Sequence, residues 1–313
     1  MKRLMFNLML IVVALAGVGL LLYPQVSFIL ASGDHVEIVH QYDRTIEDID
    51  EVAIANQLEA AANYNAQLRG EGVRDPFIAG SGMVMPDDYT SLLNVNGMIG
   101  YVRIPKVSVN LPIYHGTSDE TLMAGAGHLE GSAFPIGGES THSVITGHSG
   151  LASAKMFSDL ESLEKGDEFY FYILNQVIAY KIDQIKVVEP DHVEDLYMVQ
   201  GQDYSTLITC TPYGINSHRL LVRGVRVPFY TPEQIADKID HTSAVAGRET
   251  FMFYVGLASV CALTVFAFIM VTFYKRRQRH AERNRYKDKI VYKRQAFYGA
   301  SARGRSRRGT AGY

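Results

Sequence analysis

Two long uncharged apolar runs constrain this chain most, because each is long enough to cross a membrane. Residues 4–33 and 251–274 contain no Asp, Glu, Lys or Arg, and a helix spans the hydrocarbon core with about 20 apolar residues. The first run is also longer than the apolar stretch of cleaved signal peptides, about 7–15 residues. The sequence therefore predicts a signal-anchor helix within residues 1–33 and a transmembrane helix at 250–274. Cleavage of the first run is an alternative, since residues 14–16 resemble a small-residue cleavage site.

The charges beside these runs predict their orientation. Lys2 and Arg3 precede the first run, and residues 275–313 carry 14 basic and two acidic residues, a net of +12. Basic flanks stay in the cytoplasm. We therefore expect a two-pass protein of the cell membrane, with both termini cytoplasmic and residues 34–249 outside the cell. The basic tail, residues 275–313, is expected to be disordered and to lie against anionic lipid.

The outer segment is acidic, which the charge of the whole chain conceals. The chain has 30 basic and 33 acidic residues, of which residues 34–249 hold 14 basic and 31 acidic ones, a net of −17. Proteins that bind nucleic acid carry clustered positive charge. Nucleic acid is therefore excluded as an expected partner of this segment.

The chain has only two cysteines, and their positions predict different roles. Cys261 lies within the second apolar run, where an inert apolar role is expected, whereas Cys210 is the one cysteine of the outer segment. No disulfide can form within that segment, and a free thiol outside the cell is exposed to oxidation. A thiol retained there suggests a chemical use.

The first part of the outer segment is predicted to be helical. Thr45, with Asp48 three residues later, resembles the capping box that begins a helix, and apolar residues then recur at helical spacing. The helix is expected to end before Gly70, where Gly, Asp, Asn and Pro residues predict a long loop. These features divide the outer segment into a helix and loop, residues 34–97, and a main domain, residues 98–249.

The main domain is dominated by β-strand patterns. From residue 98 onward, short β-branched or aromatic segments alternate with turn residues. One helix is predicted at 153–166. Its apolar residues would share one face: Met156, Phe157, Leu160 and Leu163. Many short strands with a few helices are typical of a closed or sandwiched antiparallel β domain.

Cys210 ends one of these strand patterns, and two other residues are suited to assist it. A thiol attacks as its thiolate, so it needs a nearby base or positive charge and donors for the oxyanion. His148 follows a strand between Gly147 and Gly150, which allow a sharp turn. Arg219 opens a strand nine residues after Cys210, so an antiparallel turn would bring these two side chains together. Taken singly, His148 is more often a surface or core residue and Arg219 a surface charge.

Other candidates for the base are weaker, and no metal or cofactor is predicted. His115, His128 and His218 are looser candidates, while His142 lies at the opposite end of the strand that leads to His148. Paired cysteines are absent, and His142 and His148 are six residues apart, which is not a usual ligand spacing for zinc.

The combination resembles the sortase signature. "VITGHSG", residues 144–150, is followed by "TLITCTPYGINSHRLLVRG", residues 206–224, which is similar to class C, the pilin-polymerising sortases of Gram-positive bacteria. The carboxy-terminal apolar run agrees with class C, and "RDPF", residues 74–77, resembles the Asp-Pro-aromatic lid of that class. The resemblance implies an eight-stranded β-barrel, with residues 98–249 as the catalytic domain.

The resemblance also implies roles for individual residues. Cys210 would be the nucleophile that attacks the Thr–Gly bond of an LPxTG-like sorting signal. His148 would be the general acid and base, and Arg219 would hold the substrate carbonyl and its oxyanion. The lid would consist of Asp75, Pro76 and Phe77, with Asp75 pairing with Arg219 or His148 and Phe77 covering Cys210.

The implied partners are pilin precursors. A lysine amine of the next pilin would resolve the acyl-enzyme and form an isopeptide bond. Three alternatives stay open at this point: a housekeeping sortase that attaches proteins to the cell wall, a secreted cysteine peptidase, and a non-catalytic domain tethered to the membrane.

Overall fold

A computed structural model describes residues 35–68, 73–77, 86, 88–151 and 155–227, together with isolated positions in the two terminal segments. The chain divides into two compact units, Met1–Gly247 and Arg248–Tyr313. Within the described residues, no helix combines the length and the hydropathy needed to span a bilayer. Almost all of the two predicted membrane spans, residues 1–33 and 250–274, lie outside the described residues.

Eight strands form the first unit's central structure. They are β1 Met98–Ile104, β2 Val109–His115, β3 Ala126–His128, β4 Thr141–Thr146, β5 Glu168–Ile173, β6 Gln176–Val188, β7 Asp203–Thr211 and β8 His218–Arg226. They close into a barrel in the order β1-β2-β3-β4-β7-β8-β6-β5. The eight-stranded barrel with few helices is thereby confirmed.

The strand patterns alone predicted an antiparallel domain, but the barrel is not purely antiparallel. β2 pairs with β3 and β4 pairs with β7 in the parallel sense, whereas the other neighbours are antiparallel. Parallel neighbours need a crossover connection rather than a tight turn. The connection from β4 to β7 contains β5 and β6, so the ends of β4 and β7 meet at one edge of the barrel although they are distant in sequence.

The amino-terminal part holds two helices where one was predicted. Residues 35–47 form α1, and α2 spans Glu51–Gln67. The N-cap of α2 is Asp50, whose side chain accepts a hydrogen bond from the Val52 N–H at 3.2 Å. Thr45 lies in the last turn of α1 instead, where its hydroxyl donates to the Gln41 carbonyl. The prediction of a helix beginning at Thr45 was therefore wrong, although its predicted end before Gly70 was right.

The helix predicted at 153–166 is also wrong. Residues 155–166 form turns with a short 3₁₀ helix, Leu160–Ser162. Met156 has φ +42°, a left-handed conformation that interrupts an α-helix. The four apolar residues predicted to share a face are nevertheless all buried in the barrel core. The apolar pattern indicated burial correctly but not the backbone conformation.

A third α-helix, α3, spans Asp119–Ala124.

The carboxy-terminal unit is described at few positions. Residues 274–279 are helical, where the sequence predicts the start of a disordered tail. Lys, Arg and Gln, which fill most of this stretch, are good helix formers, and this propensity explains the difference.

Side chains alternate between the inside and the outside of the barrel along β4, β7 and β8. Ile145, Leu207 and Val222 point into the main core. A second apolar cluster lies on the other face of these strands; we call it the outer cluster. Its buried members are Val73, Leu129, Val144, Leu196, Ile208 and Leu221, with Phe77, Val188, Val193 and Tyr197 packed against them.

Candidate active site

Strand register places three predicted site residues side by side on the outer face. Cys210 of β7 pairs directly with Arg219 of β8. On the other side of β7, the pairing with β4 runs as far as Thr146 with Ile208, and the Gly147 N–H donates to the Ile208 carbonyl at 3.1 Å. His148 comes two residues after Thr146, as Cys210 comes two residues after Ile208, and side chains two apart share a face. His148, Cys210 and Arg219 therefore form one row, called the site row below.

The turn that carries His148 is fixed by packing and by two hydrogen bonds. A Cβ at Gly147 would lie 2.7 Å from Cδ2 of Phe157, so only glycine permits the buried Phe157 ring beside this turn. The Phe157 N–H donates to the His148 carbonyl at 3.0 Å. Thr209, next to Cys210, donates its hydroxyl to the Gly147 carbonyl at 2.6 Å. These contacts tie the histidine turn to the end of β7.

The turn after Cys210 is held from both ends. The Thr211 hydroxyl donates to the Glu161 carboxylate, and the Thr211–Pro212 peptide is cis. Arg219 Nη1 donates to the carbonyls of Asn216 and His218 at 3.2 and 3.1 Å. The guanidinium is thus anchored to its own turn.

The structure places Asp75 directly on Arg219. Arg219 Nε donates to Oδ1 at 2.8 Å and Nη2 donates to Oδ2 at 2.7 Å. Both residues are buried, with 4% of Asp75 and 7% of Arg219 exposed. A bidentate pair between a guanidinium and a carboxylate is strong when geometry is good and water is excluded. This pair joins the segment 73–77 to the end of the barrel.

Phe77 lies over the same row. Its ring centroid is 5.0 Å from Arg219 Cζ and 5.8 Å from the centre of the His148 ring. The first distance permits a cation–π interaction. Asp75 Oδ1 also accepts the Phe77 N–H at 3.4 Å, which fixes the turn around the buried Pro76. The aromatic ring therefore contacts both neighbours of Cys210 in the site row.

Burial shifts the pKa values of the thiol and the imidazole in opposite directions. The pKa of Cys210 is raised, chiefly by burial; Arg219 opposes this shift and Asp75 adds to it. The pKa of His148 is lowered, again chiefly by burial, while Asp119 opposes the shift. Both shifts favour the neutral forms. With segment 73–77 in place, the site therefore holds a thiol beside a neutral imidazole.

The looser histidine candidates form hydrogen bonds elsewhere. His115 Nε2 donates to the Leu92 carbonyl, and His218 bonds Ser217. Two histidines are deeply buried. His128 Nε2 donates to the Ala133 carbonyl, and His142 Nδ1 donates to the Tyr197 carbonyl.

One group of side chains among the described residues has the proximity needed for a metal ion. It consists of Glu189, Asp191 and His192, all exposed, after β6. Exposed acidic groups of this kind are common in proteins without a metal. The group lies outside the site row, and nothing else points to an ion there.

Sequence reasoning missed two residues that hold the site. Glu161 accepts a hydrogen bond from the Thr211 hydroxyl, and Phe157 packs beside Gly147. Both contacts depend on tertiary packing, which no local pattern reveals.

Comparison with known proteins relates this chain to the sortases. Residues 102–227 match the sortase domain family. The chain is 36% identical over 117 residues to Sortase A of Streptococcus agalactiae, covering 36% of this chain and 47% of that protein. It is 33% identical over 135 residues to Sortase A of Bacillus anthracis, covering 42% and 61%. The match thus spans between about half and three fifths of these curated relatives.

Solved structures agree over a longer stretch. Sortase C of Streptococcus pneumoniae, described together with its pilin substrate specificity, is 45% identical with a TM-score of 0.59, covering 63% of this chain and 99% of that one. Sortase C1 of GBS pilus island 1 is 46% identical with a TM-score of 0.57, covering 61% and 91%.

Proposed function

The chain belongs to the sortase family, in its class C, and from that premise we propose that it is a membrane-anchored cysteine transpeptidase that joins pilin subunits. The single observation that supports this most is the site row, in which Cys210 of β7 pairs with Arg219 of β8 and His148 follows the end of the neighbouring strand β4. Nucleophile, proton carrier and oxyanion donor are then side by side, as acyl transfer requires. The pilin assignment rests on the similarity to the pilin-specific sortase C of Streptococcus pneumoniae and to sortase C1 of GBS pilus island 1.

The first half of the reaction forms an acyl-enzyme. The Cys210 proton passes to His148, and the thiolate attacks the carbonyl carbon of the Thr–Gly bond in an LPxTG-like sorting signal. The developing oxyanion accepts hydrogen bonds from Arg219, which carries a permanent positive charge. The C–N bond then breaks, and His148 returns the proton to the leaving glycine amine. The product is a thioester on Cys210.

The second half transfers the acyl group to a pilin lysine. The neutral lysine amine attacks the thioester, and His148 accepts the proton that the amine loses. The C–S bond breaks, and Cys210 leaves as a thiolate that recovers a proton from His148. The new bond is an isopeptide bond between two pilin subunits.

Segment 73–77 is proposed to act as a lid in this cycle. Asp75 occupies Arg219 Nε and Nη2, so those donors reach a substrate carbonyl only after Asp75 leaves. A protein that is competent only in the open state binds its substrate with reduced apparent affinity, in proportion to the open fraction. The lid would thus restrict the reaction to conditions that open it.

The decisive experiment separates transfer from hydrolysis. The full chain in detergent is incubated with an LPxTG-like peptide, alone or together with both a pilin domain that supplies a lysine amine and a cell-wall precursor amine, and the products are identified by mass spectrometry. We expect an acyl-enzyme on Cys210 and a ligated product only when the amine is present. Hydrolysis alone would indicate a peptidase, and ligation to a cell-wall precursor instead of the pilin would indicate a housekeeping sortase. Cys210→Ala should abolish every product.

We also propose the membrane topology predicted from the apolar runs and the charges: two spans, both termini cytoplasmic and the barrel outside. A cysteine introduced as Ser301→Cys in the tail, with Cys261→Ala, tests it in intact cells with a membrane-impermeant thiol reagent. We expect the tail cysteine to react only after lysis. Cys210→Ala in the same chain removes the remaining background. Labelling of the tail in intact cells would contradict this topology.

A further inference from the structure

Thr146 is a buried polar residue one row away from Cys210. Its side chain is fully buried, and no described residue forms a hydrogen bond with its Oγ1. Thr146 pairs with Ile208, which pairs with Leu221, so these three form the row next to the site row. Buried hydroxyls in native proteins nearly always have a partner, so an unpaired one requires an explanation.

The surroundings of this hydroxyl are apolar. Ile208 and Leu221 in its row, and Val144 two residues before it, belong to the outer cluster. Val73 and Phe77 of the lid complete that cluster from above. In the row formed by Thr146, Ile208 and Leu221, the outer face under the lid is therefore apolar except for the Thr146 hydroxyl.

Three threonines of the neighbouring strand β7 all have hydrogen-bond partners for their side-chain hydroxyls. The Thr206 hydroxyl lies 2.7 Å from His142 Nε2, and Thr209 donates to the Gly147 carbonyl at 2.6 Å. Thr211 donates to Glu161. Thr146 differs from all three, although it is at least as deeply buried as they are. Valine would have nearly the same shape at this position without the desolvation penalty of an unpaired hydroxyl.

We propose that Thr146 Oγ1 forms a hydrogen bond with the backbone of the acyl-donor peptide once the lid has left the outer cluster. One row corresponds to two residues along a strand, about 7 Å. An extended peptide advances about 3.3–3.6 Å per residue, so the bonded group lies about two residues from the scissile carbonyl. Apolar side chains of the peptide would pack on Ile208 and Leu221 beside it. This inference rests on the proposed transpeptidase function.

The test uses threonine variants in a chain whose lid is opened by Asp75→Ala and Phe77→Ala. Thr146→Val removes the hydroxyl and keeps the shape, whereas Thr146→Ser keeps the hydroxyl. We measure kcat/KM for acyl-enzyme formation with an LPxTG-like peptide, together with the melting temperature and the rate at which a small thiol reagent labels Cys210. Thr206→Val is the matched control, since it removes a buried threonine hydroxyl that has a partner.

The expected pattern distinguishes a substrate contact from a structural role. Thr146→Val should lower kcat/KM about tenfold, with an unchanged or higher melting temperature and unchanged thiol labelling. Thr146→Ser should stay within about threefold of the parent. Thr206→Val should lower the melting temperature, because it leaves His142 Nε2 without its donor.

Failure of this inference and failure of the proposed function give different results. If the lid-open parent forms an acyl-enzyme and Thr146→Val stays within twofold of it, the Thr146 contact alone is refuted. The contact is also refuted if the valine variant loses melting temperature and activity together. If the parent forms no acyl-enzyme although Cys210 reacts with the thiol reagent, the transpeptidase function is refuted, and the contact with it.

Discussion

Arg219 donates hydrogen bonds in two directions, and this division matters for its proposed role. Nη1 holds the carbonyls of Asn216 and His218 within its own turn, whereas Nε and Nη2 hold the Asp75 carboxylate. The first set keeps the guanidinium in place when the second set is released. The planar fork of arginine is what permits both sets at once, and lysine cannot reproduce it.

Arg219→Lys should therefore separate the role of Arg219 in lid closure from the role of its positive charge beside Cys210. The variant keeps the positive charge beside Cys210 but loses the bidentate contact with Asp75. We expect faster labelling of Cys210 by a thiol reagent, and acyl-enzyme formation slower by on the order of 10²-fold because an oxyanion donor is lost. Both rates are measured on the full chain, by fluorescence labelling and by mass spectrometry. Slower labelling in the variant would show that lid closure by Asp75 does not require the planar guanidinium group of Arg219.

The pH dependence of the thiol should report on the lid. Burial and Asp75 raise the pKa of Cys210, while Arg219 lowers it. Lid opening removes much of the burial and the carboxylate but leaves Arg219, so the pKa should fall. In wild type, labelling should rise with pH and reach its inflection above the ordinary thiol value of 9.0. The inflection of Asp75→Ala/Phe77→Ala should lie at lower pH, and coincident profiles would contradict this account.

At the residue scale, the pairing of Cys210 with Arg219 could be predicted from sequence because its geometry is local. Cys210 and Arg219 are joined by one turn, so their separation in sequence determines their pairing. The position of His148 needed the family resemblance, since β4 and β7 are far apart in the chain. The unpaired hydroxyl of Thr146 could not be predicted, because a partner for a strand hydroxyl depends on neighbouring strands and on the lid.

Three side chains of segment 73–77 attach the described part of the lid to the barrel by different kinds of contact. Asp75 bonds Arg219, Phe77 contacts Arg219 and His148, and Val73 packs into the outer cluster. Removal of the carboxylate leaves a buried guanidinium without its partner, which is costly and favours opening. Substitution of Asp75 and Phe77 therefore removes the ion pair and the aromatic contacts of the lid without changing a barrel residue.

Asp75→Ala combined with Phe77→Ala should increase the rate of Cys210 labelling by on the order of tenfold or more at neutral pH. The matched control is Asp183→Ala. It breaks a similar bidentate pair, in which Arg223 Nε and Nη2 donate to Asp183 at 3.2 and 2.6 Å, but away from the lid. Its labelling rate should equal that of wild type. An unchanged rate in the double variant would exclude 73–77 as a lid.

Predictions for elements succeeded where a pattern was long and failed where tertiary packing decided. Most strands have six or more residues and lie within the β-patterned region predicted from residue 98 onward. β3 has only three residues, which is too short for a periodic signal, so its place in the barrel came from the resemblance alone. The helix predicted at 153–166 failed because burial of Met156 and Phe157 is achieved by a turn with a left-handed residue.

At the scale of the whole molecule, the barrel depends on two histidines that stay neutral. His128 lies inside, between the Tyr89 hydroxyl at 2.8 Å and the Ala133 carbonyl at 2.9 Å. His142 lies on the outer face and joins the connection after β6, through the Tyr197 carbonyl, to Thr206 of β7. Each ring uses one nitrogen as donor and the other as acceptor. Protonation would remove the acceptor and bury a charge.

This dependence predicts the loss of stability in acid. Burial lowers the pKa of His128 to about 3 and that of His142 to about 4, from 6.5. Below pH 6.5 these two imidazoles therefore bind protons in the unfolded chain but stay neutral in the folded chain. The free energy of unfolding falls as pH falls. With both rings, the loss is roughly 2–3 kcal/mol per pH unit between about pH 6 and 4.5. It should level off once the folded pKa values are passed.

Urea unfolding of the full chain in detergent, followed by tyrosine fluorescence from pH 7 to 4.5, measures this slope. His128→Gln and His142→Gln each remove one titrating ring, so each should flatten the slope by roughly 1 kcal/mol per pH unit, even where the variant is less stable at pH 7. Cys210→Ala, whose group titrates only at high pH, should leave the acid slope unchanged. Equal slopes in wild type and both glutamine variants would mean that other groups dominate acid unfolding, and the barrel would then not depend on these neutral histidines.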